Sequence, residues 1–153
     1  QKDKAERLGW YIKNRLGVGE DGAYYWPYWL DDEPVSGTVK PTDVNGEDVS
    51  HASLTVWFPF MLAQDNAVFT REDMTRFGKT VTQGFGRLGD GILLGTITGQ
   101  PSSSPNYVAI PARWLHLSKF EPSVADVITP FYLRYIEKPG PLDLALLCAH
   151  GSE

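Results

Sequence analysis

Apolar residues along this chain recur mostly at helical spacing. Leu8, Tyr11, Ile12 and Leu16 fall at i, i+3, i+4 and i+8, which predicts a first helix with Lys2-Asp3-Lys4-Ala5-Glu6-Arg7 on its outer face. Gly17 then stands where a left-handed C-terminal residue is expected. From Gly17 to Gly46 the composition turns to Gly, Pro, Asp and aromatic residues. Within it, Tyr24 to Leu30 reads as a short strand or extended loop, and Pro27 bars it from the middle of a sheet. Connections of this length are usually functional or disordered, and the aromatic content here favours an ordered, functional one.

A second helix is expected to start at Asp48 or Ser50, either of which can accept a hydrogen bond from a free first-turn amide. Leu54, Trp57, Phe58, Met61 and Leu62 mark its expected buried side, and Pro59 should kink it without ending it. The third helix has the strongest start signal. Thr70 is its N-cap, Asp73 completes a capping box, and Phe69 and Met74 form a hydrophobic staple. Met74, Phe77, Val81, Phe85 and Leu88 continue as a stripe until Gly84, Gly86, Gly89 and Gly91 weaken the helix.

A loop from Gly95 to Tyr107 has Pro101-Ser102-Ser103-Ser104-Pro105 at its centre. Pro111 to Leu117, Pro122 to Ile136 and Pro141 to Ala149 then read as helices. Trp114 and Leu117, followed by Val124, Val127, Ile128, Tyr132, Tyr135 and Ile136, should face inward. Five or six helices, several in consecutive pairs, predict a mainly α fold of stacked helical hairpins with one aromatic-rich strand or loop, in a single domain over residues 1–153.

Charge and cysteine usage narrow the function. The 153 residues carry a formal charge of −5 with no Lys/Arg run, so neither nucleic acid nor an anionic membrane is expected as the main partner. No apolar run is long enough to span a bilayer, so no membrane insertion is expected. Cys148 is the single cysteine and permits neither an internal disulfide nor a cysteine metal cage. A start at Gln1 within a helical pattern suggests a processed or excised piece of a longer protein. The expected location is extracellular or periplasmic, because a mature secreted protein has lost its signal.

Candidate chemistry concentrates in Glu47-Asp48-Val49-Ser50-His51-Ala52, which follows the cluster Tyr24-Tyr25-Trp26-Pro27-Tyr28-Trp29. Titratable groups at a helix start beside aromatic rings are what a carbohydrate site would use. The plainer reading is that His51 caps a neighbouring loop, Glu47 and Asp48 complement the helix dipole, and the rings fold onto the helices. His116 and His150 are isolated and read as structural or surface groups.

The order of helix, Tyr-Tyr-Trp-Pro-Tyr segment, Glu-Asp-Val-Ser-His-Ala and Phe-Thr-Arg-Glu-Asp-Met at Phe69 to Met74 resembles the (α/α) toroid catalytic domains of polysaccharide lyases and uronyl epimerases. The likeness covers Leu8 to Val81, about half the chain, and a complete toroid has about twice the helices counted here. It implies an acidic, uronic-acid-containing polysaccharide as partner, and a second chain or missing half to complete the fold. It further implies removal of the C5 proton, followed by β-elimination or epimerisation, with no cofactor. In that chemistry His51 would be the base, and Tyr24, Tyr25 or Tyr28 the acid. Asn45 or Arg71 would clamp the carboxylate, Trp26 and Trp29 would stack on sugar faces, and Glu47 and Asp48 would assist in binding.

Other readings stay open. A non-catalytic helical module would bind glycan or protein through Tyr24 to Trp29. Asp43 with Glu47 or Asp48 would be a glycosidase pair. Glu47, Asp48 and His51 lack the second histidine of a zinc site, and Asp31, Asp32 and Glu33 lack a known calcium-loop pattern. Gly84-Phe85-Gly86 and Gly89-Asp90-Gly91 are no dinucleotide fingerprint, and Ser50 and Ser53 form no nucleophile elbow.

Overall fold

The computed structural model describes residues 1–29, 35, 37–89, 91–101 and 111–150, and over these the chain is mainly helical with a small three-stranded sheet. Helix α1 (Lys2–Lys13) buries Gly9 and Ile12 and leaves Leu8 on the surface. Its C-cap is Asn14, three residues before the glycine expected to end it. Gly17 instead opens strand β1 (Gly17–Gly19), where a Cβ would lie 2.6 Å from a Val35 methyl and 2.7 Å from one of Val39. Close packing, rather than a left-handed turn, requires glycine there.

Strand β2 (Tyr24–Tyr25) pairs antiparallel to β1, and β3 (Thr38–Val39) pairs parallel to it, in the order β2-β1-β3. The aromatic segment is therefore an edge strand, as Pro27 demands, and Pro27 itself pairs only through an isolated bridge to Gly46. Leu30, the last residue of the expected strand, lies outside the described residues, as do Ser102 to Tyr107 of the expected loop.

Helix α2 (Val49–Gln64) runs unbroken through Pro59. Its inner face differs from the expected one. Val49, Ala52, Val56 and Phe60 are buried, whereas Leu54, Trp57 and Met61 are exposed; Leu62 is buried as expected. The helix is apolar on nearly every side, so its pattern marks no single face. Tertiary contacts choose, among them Trp114, whose Nε1 donates to the Val49 carbonyl at 3.1 Å.

The turn into α3 (Arg71–Lys79) contains Val68 at φ +62, and the Phe69 amide donates to the Ala67 carbonyl at 2.6 Å. This is a positive-φ γ-turn on a β-branched residue, a conformation that costs about 1–3 kcal/mol. Burial of Phe69 and the Lys13 ammonium, which donates to the Val68 carbonyl at 2.9 Å, hold it in place. Thr70 and Asp73 form both arms of the capping box, and Phe69 and Met74 are buried as its staple.

The stripe continues past α3 in a different form. Thr80–Phe85 is a π-helical segment, with the Gly86 amide reaching back five residues to the Val81 carbonyl at 2.8 Å. Met74, Phe77, Val81 and Phe85 are all buried, and Leu88 is exposed. Pro111–Lys119 is a 3₁₀ helix, whose period of three aligns the buried Pro111, Trp114 and Leu117. Helix α4 (Ser123–Tyr135) buries Val124, Ile128 and Tyr132, and Tyr135 lies on its exposed side. Helix α5 (Pro141–His150) has no fully buried residue. Among the described residues no helix is long and apolar enough to cross a membrane.

Candidate functional site

Asp48 is the N-cap of α2. Its Oδ1 accepts hydrogen bonds from the amides of Ser50 and His51, both at 3.1 Å, which satisfies two of the free donors of the first turn. Its Oδ2 lies 2.5 Å from His51 Nδ1. The carboxylate is buried while 60% of the imidazole surface is exposed. With Nδ1 committed to Asp48, Nε2 is the nitrogen left to exchange protons with a ligand. The hydrogen bond to Asp48, together with its negative charge, raises the His51 pKa above the ordinary histidine value.

Beneath this pair sits Glu47. Its Oε2 accepts from Trp26 Nε1 at 2.7 Å, and its Oε1 accepts from Thr55 Oγ1 at 3.1 Å. Burial raises its pKa, and these two bonds oppose that shift. Glu47 therefore faces the core and braces the start of α2. Trp26 is completely enclosed and packs edge-on against Phe77 at 5.6 Å, so it offers no face for a sugar to stack on.

The chain on the other side is held in register by its backbone. The Tyr28 amide donates to the Asn45 carbonyl at 2.8 Å, next to the Pro27–Gly46 bridge. The Tyr28 and His51 rings lie 6.1 Å apart, and Trp29 meets Tyr28 edge-on at 5.1 Å. Trp29 is 66% exposed, and the Asn45 side chain is also exposed. Behind them, the Val49 amide donates to Gly95 and the Ile97 amide to Glu47, at 3.1 and 3.0 Å. Tyr28, Trp29, Asn45 and His51 thus share one surface, with the Asp48 carboxylate buried beneath it.

Three other expected site residues lie elsewhere. The Tyr24 hydroxyl donates to Asp73 Oδ1 at 2.5 Å and the Tyr25 hydroxyl to Asp21 Oδ2 at 2.6 Å. Burial, reinforced by these bonds, pushes both phenols well above their ordinary pKa, so neither is suited to release a proton. Arg71 packs over Phe120, which contacts Phe60. Phe60 is nine residues, about 13 Å, further along α2 than His51, so Arg71 is no clamp for a sugar at His51.

Asp43, proposed for a glycosidase pair, is exposed on a short 3₁₀ turn and bonds to Thr42, while Glu47 points inward. Asp31, Asp32 and Glu33 lie outside the described residues. Among the described residues no three His, Cys, Asp or Glu side chains group as a metal site. Sequence reasoning missed Thr55, whose i+4 spacing from His51 and i+8 spacing from Glu47 put it within reach. It also missed Asp21, which carried no periodic signal.

His116 belongs to a separate environment. It lies edge-on to Trp57 and Phe60 with ring centroids 4.9 and 4.5 Å away, and Nδ1 bonds to the Arg113 carbonyl. Its Nε2 is buried without a partner among the described residues, and burial pushes its pKa down to about 4. Comparison with protein-family models, characterised proteins and solved structures finds no match.

Proposed function

We propose that the Asp48–His51 surface acts on a uronic-acid-containing polysaccharide by abstracting the C5 proton, as a lyase or epimerase, within a fold that forms part of an (α/α) toroid. One observation carries this reading: a buried carboxylate orients a largely exposed imidazole beside the Tyr28 ring, against which the exposed Trp29 packs. His51 Nε2 takes the C5 proton. In the lyase the C4–O bond then breaks, a C4–C5 double bond forms, and an acid protonates the leaving oxygen. Tyr28 is the candidate acid on this surface, Asn45 is the candidate to neutralise the uronate carboxylate by hydrogen bonding, and Trp29 offers its face to sugar C–H groups. Exposed apolar residues such as Trp10, Leu133 and Leu144 would give a second chain or further segment a face to cover while completing the cleft.

The raised His51 pKa fixes the sign of the pH dependence. The base form predominates only above that pKa, so turnover should rise as pH increases through it. The test is ultraviolet absorbance of the unsaturated product, paired with proton NMR of C5 exchange in deuterated water, on a panel of acidic polysaccharides. His51→Ala should remove both signals, a loss of roughly 10²–10⁴-fold, with folding retained.

The exposed Trp29–Tyr28 pair also favours a second reading, a non-catalytic glycan-binding module. In that case wild type gives neither signal, Trp29→Ala abolishes glycan binding, and His51→Ala changes little. Unfolding of His51→Ala would instead assign that residue to the architecture.

A further inference from the structure

On the flank of α2 away from Glu47, the helix faces α5 across a cleft of about 200 Å³ lined by Ser53, Leu54, Trp57, Arg113, Leu142 and Leu146. We infer that this cleft binds a small organic anion with an aromatic or branched apolar body, its carboxylate meeting Arg113. The volume suits such a body, since a 150 Å³ cavity lined by aliphatic and aromatic side chains holds benzene. The walls are apolar and incompletely covered: Leu54 and Leu142 each keep 55% of their surface exposed, and Trp57 keeps 41%. A ligand entering here removes that surface from water.

The wall is also fixed in place before any ligand arrives. The Trp57 indole is held edge-on by His116 and tilted against Phe60 at 5.6 Å, so it has little freedom to collapse into the space. The choice of an anion rests on Arg113. It is the one charged residue among the six that line the cleft, and among the described residues it makes no ion pair. Its backbone carbonyl is engaged by His116 Nδ1, which fixes the main chain from which the guanidinium extends. The Ser53 hydroxyl already donates to the Ser50 carbonyl at 2.6 Å and has no proton to offer, so charge recognition falls to the guanidinium. A guanidinium binds a carboxylate through two parallel charge-assisted bonds, and an alcohol of the same shape cannot reproduce them.

This inference stands apart from the uronate reading, because neither His51 nor Trp29 lines the cleft. The experiment titrates the whole chain with phenylacetate and, separately, with 2-phenylethanol, following Trp fluorescence and calorimetric heat. Phenylacetate should bind at least roughly tenfold more tightly than the alcohol, and Arg113→Gln should remove that preference while leaving alcohol binding unchanged. Leu142→Trp, which fills the cleft, should abolish binding of both, and His51→Ala should alter neither. Equal binding of acid and alcohol, or a preference that survives Arg113→Gln in a folded variant, would overturn the assignment. So would saturable binding that survives Leu142→Trp, or no binding of phenylacetate at ~10 mM.

Discussion

Asp48 and Asp73 stand at the starts of consecutive helices, and both are buried carboxylates that satisfy first-turn donors, yet their surroundings lead to opposite chemistry. Asp73 accepts from Lys13 Nζ at 2.7 Å, the Thr70 amide at 2.7 Å, the Thr70 hydroxyl at 2.9 Å and the Tyr24 hydroxyl. Burial opposes its ionisation, but the bonds from Lys13, Tyr24 and Thr70 outweigh it and hold its pKa below the usual carboxylate value. Asp48 meets two amides and one imidazole that opens to solvent. The first acid is closed by the Lys13 ammonium, the Tyr24 hydroxyl and Thr70. The second is closed by an imidazole, a group that titrates near neutral pH, so the same helix-start geometry yields a brace in one place and a proton-handling pair in the other.

The largest effect should come from breaking the brace. Asp73→Ala removes the cap and leaves Lys13 and Tyr24 without their partner, which should cost about 4 kcal/mol in urea unfolding. A loss below about 1 kcal/mol would mean that the Lys13–Asp73–Tyr24 cluster stabilises nothing and that the contrast with Asp48 is empty. Acid should weaken the wild-type brace only late: a depressed carboxylate contributes stability above its unfolded pKa and loses it as pH falls through the lower folded value.

His116 sharpens the comparison, because it is a histidine with burial but no carboxylate. Its folded pKa of about 4 lies below the unfolded value, so the folded state binds fewer protons between these two pH values. Stability should fall by about 3 kcal/mol as pH drops from 6.5 to 4, and His116→Phe should flatten that slope in unfolding titrations. The groups facing it, Lys119 and His150, are basic and add to the effect. A slope unchanged in His116→Phe would assign the acid sensitivity to another group.

The smallest effect on stability and the most specific test of the site is Asp48→Asn. Asparagine caps a helix as well as aspartate, so stability should change by less than about 1 kcal/mol. The His51 pKa, followed by NMR, should fall toward the ordinary histidine value, because the charge that raised it is gone. In the wild type, the raised pKa means that this pair adds stability below the unfolded histidine pKa and loses it as pH rises through the folded one. An unmoved His51 resonance would separate the two residues in solution.

Local rules made α3 legible from Thr70, Asp73, Phe69 and Met74, because a capping box and staple act within a few residues. The N-cap of α2 was legible for the same reason. The inner face of α2 was not. Leu54 and Trp57 are as apolar as Val56 and Phe60, and only the tertiary packing that buries the second pair distinguishes them. The site divides likewise. Asp48 and His51 share one helical turn, so their pairing follows from spacing, and Tyr28 and Trp29 join them through a backbone bridge. Tyr24 and Trp26 alternate into the core with the strand and its extension, and their partners Asp73 and Glu47 are 49 and 21 residues distant. No local pattern announces contacts at that range.

The π-helical segment Thr80–Phe85 sets how tolerant this chain can be of length changes. Each residue of a helix advances its successors by about 100°, so deleting one residue here to restore α geometry would turn Phe85 away from Trp114, which it now meets at 5.0 Å. It would also carry Gly84 away from the Ile97 carbonyl that leaves no room for a Cβ, and Ile97 is the residue whose amide holds Glu47. Substitutions within these six residues change a side chain. A deletion would reset the angular register between the braced helix pair and the strip of backbone behind the histidine, so the wide turn should behave in a lineage as a fixed insertion, intolerant of changes in count.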